Sequence, residues 1–423
     1  MNTLAMPQQA IRSNPRNTGS GFWQAGHRPT LFAAFLYFDV AFMVWVMLGP
    51  LAPIISKDLG LDPAQKGLMV AVPTLAGAVL RIVNGLLGDR IGPKRTGMIN
   101  QLIVIGGLAT AWHFGVASYA GLLALGVVLG FAGASFAVAL PLASRWYPPE
   151  HQGKAMGIAG MGNSGTVFAA LFAPLLAKAF GWNNVLGLAL VPLVIVFVLY
   201  LIFVKDSPNQ PPAKTTAEYV RAYFRMLGEG DAWWFMLFYG VTFGGFVGLA
   251  GSLPIWYTGE LDMTPVHAGY ATAACVFAGS LVRPFGGALA DRIGGIKTLS
   301  MVYTAAAILL VAISMAPISF AMMFPLFFLV MATLGIGNGA VFQLVPQRFR
   351  HEIGVMTGLV GFGGGVGGFY LASSLGLAKQ WTGSASSGFL IFAGLSLVAL
   401  AGLTSVKKRW RTTWGAAIQG VRI

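Results

Sequence analysis

The chain has 423 residues, 56% of them hydrophobic and 9% charged, with mean hydropathy +0.72. A soluble globular domain carries roughly 25% charged residues, so the composition excludes one and describes a protein that lives in lipid. The single cysteine, Cys275, rules out an intramolecular disulfide and a thiolate metal cluster, and the net charge of +14 raises nucleic-acid binding as a question that the placement of the charges must settle.

Residues 1–30 are polar, with Pro7, Asn14, Pro15, Asn17 and Gly19, and lack the apolar stretch of a cleavable signal. They are expected to form a disordered cytoplasmic tail. From residue 31 onward, apolar stretches long enough to cross a hydrocarbon core, about 20 residues each, follow one another with short breaks. Twelve are predicted, at 31–56, 65–88, 96–117, 119–143, 154–180, 182–205, 231–257, 265–290, 296–317, 321–346, 351–380 and 385–405. The expected class is an all-α integral membrane protein, with six helices in 31–205, a cytoplasmic linker in 206–230, six more helices in 231–405 and a cytoplasmic tail in 406–423. Within the linker, Thr216 to Leu227 reads as an amphipathic piece lying along the inner face. With both termini inside, only Lys57, Lys66, Lys178 and Lys379 fall on the outer side and Arg81 and Arg283 within spans, leaving 21 of the 27 Lys and Arg on the inner side. That is the pattern of cytoplasmic loops, and it explains the basicity without nucleic acid.

The first span contains Asp39, the only carboxylate well inside any span. It reads either as a polar residue near the inner interface or a partner for a neighbouring helix, or as a proton-coupling group or counter-charge. The second span carries Arg81, followed by Gly85, Asp89 and Arg90 in LRIVNGLLGDRIGPKR; the eighth repeats the register in LVRPFGGALADRIGGIK, with Arg283, Gly287, Asp291 and Arg292. The two arginines lie 283 − 81 = 202 positions apart. A charge at the centre of a membrane helix costs at least about 2.5–3.5 kcal/mol on insertion scales, so it persists where it is paired or used. Further repeats support a duplicated chain: Phe136 and Phe342 each precede a proline, Pro141 or Pro346, and Gly157, Gly160 and Gly162 recur as Gly358, Gly361 and Gly363 at a constant offset of 201. The symmetry breaks where Asn163 corresponds to Gly364. These glycines, with Gly165, read either as close helix packing or as a face that admits a small ligand and sliding. Asn163 reads as a hydrogen-bond donor to a ligand oxygen or as helix glue.

The repeated GxxxDRIG turn resembles the inner-loop motif of the major facilitator superfamily, which implies that Asp89, Arg90, Asp291 and Arg292 latch helices at the inner face. More narrowly, AGMGNSG and the glycine run TGLVGFGGGVGG resemble the paired signatures of the nitrate/nitrite porter branch, and the resemblance covers residues 30 to 405. It implies an anion held by Arg81 and Arg283, with Phe136, Phe342, Asn163 and the seventh-span Tyr239 around it, in a compact bacterial inner-membrane permease. The GFGGGVGG signature departs from its partner at Gly364, which removes a polar contact from that helix.

Two guanidiniums facing each other repel unless an anion sits between them. A guanidinium fork pairs two donors with two oxygens, which suits planar nitrate or nitrite. The expected mechanism is alternating access around a midplane site, coupled to protons or to nitrite exchange. The rivals are a carrier of another small anion, such as a carboxylate, and a transport-inactive anion sensor. No GxxxxGKS, HExxH or CxxC spacing is present, the five histidines are scattered, and neither cofactor, metal nor enzymatic activity is expected. The protein is expected to work as a monomer whose only other partner is membrane lipid.

Overall fold

The computed structural model describes residues 21–208, 215–349, 352–415 and 423. Most of the expected N-terminal tail, the Pro-rich stretch of the linker, Arg350, His351 and Arg422 therefore lie outside the described residues. Among the described residues the regular structure is helical throughout. A backbone crossing lipid must satisfy its N–H and C=O groups internally, and a helix does this within one segment.

Twelve spans are present, labelled here α1 (Arg28–Leu59), α2 (Pro63–Arg90), α3 (Pro93–Phe114), α4 (Tyr119–Ser144), α5 (Ala155–Phe180), α6 (Trp182–Phe203), α7 (Gly230–Glu260), α8 (Pro265–Ile293), α9 (Gly295–Met315), α10 (Phe320–Arg348), α11 (Ile353–Thr382) and α12 (Ser386–Thr412). Eleven are apolar and long enough to span by composition; α3, with Lys94, Arg95, Asn100 and Gln101 in its first half, takes its place by position. The last helix continues to Thr412, beyond the expected boundary at residue 405. The spans form two pseudo-symmetric sets of six, joined by the linker helix Thr216–Leu227, which opens with a capping box of Thr215 and Glu218.

Five spans are interrupted. α1 breaks at Val46 and Met47, α4 at Ala134 and Ser135, α5 through a 3₁₀ turn at Met161–Ser164, α6 at Ala189 and α8 at Val282. Each break leaves carbonyls or N–H groups without their usual helical partners, and such backbone at membrane depth survives only where protein surrounds it. α2, α7, α10 and α11 are continuous. α11 packs along both α2 and α7, so it runs through the seam between the two sets. Glycine makes the approach possible: a Cβ on Gly363 would lie 2.5 Å from the Met236 carbonyl oxygen of α7, and one on Gly67 would lie 3.0 Å from Gly376 Cα. α7 is the most enclosed span.

The linker helix closes one end of this seam. Its Tyr223 hydroxyl sits where a Cβ on Gly358 of α11 would be, 2.6 Å away, and its Tyr219 hydroxyl stands 2.5 Å from the Cβ position of Gly85 on α2. The two phenols are 3.4 Å apart. Burial pushes both up, Tyr223 to about 12, so neither ionises near neutral pH. Arg225 of the same helix pairs with Glu352 at the start of α11.

The duplicated turn motif does not latch symmetrically. Asp89 accepts from Arg145 at 2.7 Å. Arg348, the last residue of α10, pairs with Asp231 (2.7 Å) and Glu229 (3.0 Å) at the start of α7, and Asp231 also takes Arg409 and the Trp410 indole N–H. Asp291 and Arg292 stand exposed, and Asp291 forms no ion pair among the described residues. The close-packed glycine in the second copy is Gly286, whose Cβ would lie 2.6 Å from Ile336 Cα, whereas Gly287 meets only the Gly339 oxygen at 3.8 Å.

Candidate anion site at the seam of the two helix sets

Arg81 is held by what the helix breaks leave free. It sits one turn beyond Gly77, against which the Trp45 indole is wedged; a Cβ on Gly77 would lie 3.2 Å from Trp45 Nε1, and that nitrogen donates to Pro73 O at 2.8 Å. The break in α4 releases the carbonyl of Gly133, while Ala134 O still accepts from Ala137 N–H. Arg81 Nε donates to Gly133 O at 3.2 Å, and Asn84 Nδ2 donates to Ala134 O at 3.2 Å. From the other side of the seam, Gly361 O of α11 accepts from Arg81 Nη1 at 2.6 Å. The fit is tight, since a Cβ on Gly361 would lie 3.2 Å from Arg81 Cδ.

Rings enclose the guanidinium. Its carbon lies 5.4 Å from the Trp45 ring, 5.4 Å from Phe136 and 5.1 Å from Phe243, within cation–π range. Arg81 is 1% exposed, its Nη2 has no partner, and no carboxylate pairs with it among the described residues.

Arg283 starts the second segment of α8, directly after its break and before Pro284. Its Nη2 donates to the Tyr239 hydroxyl at 3.4 Å, while its Nη1 is buried without a partner. Tyr239 is fully buried, and it lies within electrostatic reach of both arginines, which repel one another. The Tyr239 ring stacks on Phe243 at 4.8 Å and meets Phe342 edge to face at 5.0 Å. Phe342 in turn meets Phe136 at 5.8 Å with an interplanar angle of 66°. Arg81, Phe136, Phe243, Phe342, Tyr239 and Arg283 thus form one continuous constellation drawn from α2, α4, α7, α8 and α10, with two unpartnered N–H groups and no counter-charge among the described residues. The two phenylalanines touch edge to face, so a planar ligand between parallel faces would require them to part.

The remaining sequence candidates fall around this cluster. Asn163 is buried on the 3₁₀ turn of α5 with both amide atoms unpartnered, but no hydrogen bond or ring contact ties it to either arginine. Its neighbour Gly162 packs on Phe38, whose ring is 5.9 Å from Phe136, so the turn lies one layer out. Asp39 accepts from Ser164 Oγ at 2.7 Å and its backbone abuts Gly165, a contact between α1 and α5 that involves neither arginine. Gly364 backs the Tyr239 and Phe243 rings, where a Cβ would lie 2.6 and 2.9 Å away, and Gly358 receives Tyr223. Gly157 has open space beside it, and Gly160 meets only Leu140, at 3.8 Å.

Sequence reasoning missed Trp45, Phe243 and Asn338. Phe243 was findable as the residue one turn past Tyr239. Asn338 is buried with both amide atoms unpartnered, one turn before Phe342 on α10, and a lone amide in an apolar span was its signal. Nothing in the sequence marked Trp45.

The chain belongs to the Major Facilitator Superfamily, whose sequence profile matches residues 33–372, and within it to the nitrate/nitrite porter branch. It is 32% identical to the "Nitrite extrusion protein" of Bacillus subtilis over 86% of this chain and 90% of that protein. It is 33% identical to the "Probable nitrate/nitrite transporter NarK2" of Mycobacterium tuberculosis over 78% of this chain and 84% of that protein. To the "Probable nitrate/nitrite antiporter NarK1" of Thermus thermophilus it is 31% identical over 87% and 89%. Two solved structures share the fold: the human organic anion transporter MFSD10 with TM-score 0.68 over 89% of this chain and 99% of that one at 15% identity, and a bacterial homolog of the human lysosomal transporter Spinster with TM-score 0.65 over 92% and 98% at 16% identity. The protein is a multi-pass membrane protein.

Proposed function

We propose that this protein carries nitrate, and nitrite with it, across a bacterial inner membrane by alternating access, with one anion held between Arg81 and Arg283. The observation that carries the reading is the pair of guanidiniums: each is anchored, each keeps an N–H without a partner, and neither pairs with a carboxylate among the described residues. Buried charge without compensation is strongly unfavourable. A monovalent anion removes the penalty at Arg81 and the repulsion between the arginines in one step. The relatives named for nitrate and nitrite make a planar oxyanion the first choice.

Arg81 Nη2 and Arg283 Nη1, the unpartnered groups, each donate to an oxygen of the anion, and Tyr239 adds a hydroxyl beside Arg283. The rings of Phe136, Phe243 and Phe342 keep water out and offer no proton. With the linker end of the bundle on the cytoplasmic side, the charge placement agrees with loop basicity. Import against a negative-inside potential costs about 2.3 kcal/mol per 100 mV for one anion, so inward flux is coupled to protons or to an outgoing nitrite. Exchange needs no titratable side chain; coupling to protons puts Asp39, the acid bonded to Ser164, first among candidates.

The test is counterflow in proteoliposomes, with labelled nitrate outside and nitrite, formate, chloride or nothing inside, at two pH values. Nitrite-driven accumulation supports the proposal. Accumulation driven by formate and not by nitrite makes the protein a carboxylate carrier, and saturable nitrate binding without any flux makes it a sensor.

A further inference from the structure

At the end of the bundle remote from the linker helix, the two sets of helices part around a cavity of about 350 Å³. Three charged side chains line it. Lys66 comes from the first turn of α2, Glu260 is the last residue of α7, and Lys379 comes from the last turn of α11. Lys379 Nζ donates to Glu260 Oε1 at 2.7 Å, with the carboxylate 15% exposed. Lys66 forms no ion pair among the described residues. Deeper in the same cavity, eight residues or about 12 Å before Glu260 at 1.5 Å per residue, the Ser252 hydroxyl is buried without a hydrogen-bond partner.

Two lysines and one carboxylate leave this cavity one positive charge in excess, the charge of a site awaiting one monovalent anion. Glu260 Oε1 already occupies one lysine, in the place an oxygen of such an anion would take. Both α2 and α11 run from here to the arginine site: Arg81 lies fifteen residues, or about 22 Å, along α2 from Lys66, and Gly361, which holds Arg81, lies on α11. The floor is the contact between Gly67 and Gly376, which must open for anything to pass.

We propose that this cavity is a recruitment site for the transported anion, in which a small monovalent oxyanion bridges Lys66 and Lys379 by displacing the Glu260 carboxylate. The inference rests on the anion-transport reading above. Glu260 acts as a built-in surrogate that keeps Lys379 oriented when the site is empty and competes with substrate when it is not. The two lysines come from opposite helix sets, so rocking separates them and releases the anion.

This mechanism fixes opposite signs for two substitutions, measured as nitrate uptake from the cavity side in oriented vesicles. Lys66→Gln raises KM about three- to tenfold with little change in the maximal rate, and flattens the dependence of kcat/KM on ionic strength, as removal of a steering charge should. Glu260→Gln lowers KM about two- to fivefold, because the competitor is gone. Melting temperature identifies a variant that is merely unfolded, and Glu260→Asp, which keeps the charge, restores the wild-type KM when the variant folds. A Glu260→Gln variant whose KM rises as the lysine variant's does makes the pair purely structural and overturns the proposal, as does a Lys66→Gln variant with unchanged KM. If the lysine and glutamate variants behave as wild type while Arg81→Lys loses nitrate, recruitment fails and the central site stands. If wild-type protein moves no nitrate, the transport reading itself fails.

Discussion

Arg81→Lys is the substitution whose outcome follows most directly from distances. The arginine spends Nε on Gly133 O at 3.2 Å and Nη1 on Gly361 O at 2.6 Å, keeping Nη2 for a ligand. A lysine ammonium is a single point on a flexible stem, and the same two carbonyls would claim it. The anion then loses at least one charge-assisted hydrogen bond, worth about 1.5–3 kcal/mol. At about 1.4 kcal/mol per factor of ten, the nitrate dissociation constant rises about 10- to 150-fold. Positive charge is retained, so the experiment separates fork geometry from simple attraction. Equilibrium dialysis with labelled nitrate on detergent-purified protein reads the constant, with thermal melting as a control on folding. A change of threefold or less would refute the assignment of Nη2 to the anion.

Tyr239→Phe removes a hydroxyl 3.4 Å from Arg283 and leaves the ring contacts in place; the loss of about 0.5–1.5 kcal/mol should raise the nitrate KM about two- to tenfold. Asp231→Ala strips Arg348, Arg409 and Trp410 of a shared acceptor and should cost about 2–4 kcal/mol, whereas the exposed Asp291→Ala should stay within about 0.5 kcal/mol; chemical denaturation that ranks them equally would restore the symmetric latch. Gly157→Ala enters open space and should transport normally, while Gly363→Val, whose Cβ would lie 2.5 Å from the Met236 oxygen, should slow turnover more than it weakens binding; the reverse pattern in uptake kinetics and dialysis would place Gly363 against the ligand. In a Cys275→Ser background, Tyr223→Ala should speed labelling of Gly358→Cys by a water-soluble maleimide from the linker side, because the Tyr223 phenol covers that glycine. Unchanged labelling would remove the linker helix from the seal.

What the sequence made legible was whatever carries a strong one-dimensional signal. Apolar runs gave the twelve spans, and the amphipathic pattern gave the linker helix from Thr216 to Leu227 at both of its ends. The offset of 202 paired Arg81 with Arg283, and the structure sets both at the seam beside Tyr239. The break in α4 was not legible, because Ala134 and Ser135 carry no breaking signal, yet it supplies the carbonyl that holds Arg81; Pro284 was a legible mark of the break in α8 that starts the segment at Arg283. Repetition also misled. Copying Asp89 onto Asp291 ignores Asp231 and Glu229 at the start of α7, which offer Arg348 two carboxylates. Ring orientation, which no sequence pattern encodes, sets Phe136 and Phe342 at 66°.

The central claim is that one anion is shared by Arg81 and Arg283. Isothermal titration of the purified protein with nitrate, for the wild type and for Arg81→Lys and Arg283→Lys, tests it. The account predicts one nitrate-binding event that Arg81→Lys and Arg283→Lys each weaken, while any nitrate held in the Lys66–Lys379 cavity is unaffected by either. Two binding events, with each substitution removing a different one and leaving the other at wild-type affinity, would contradict it.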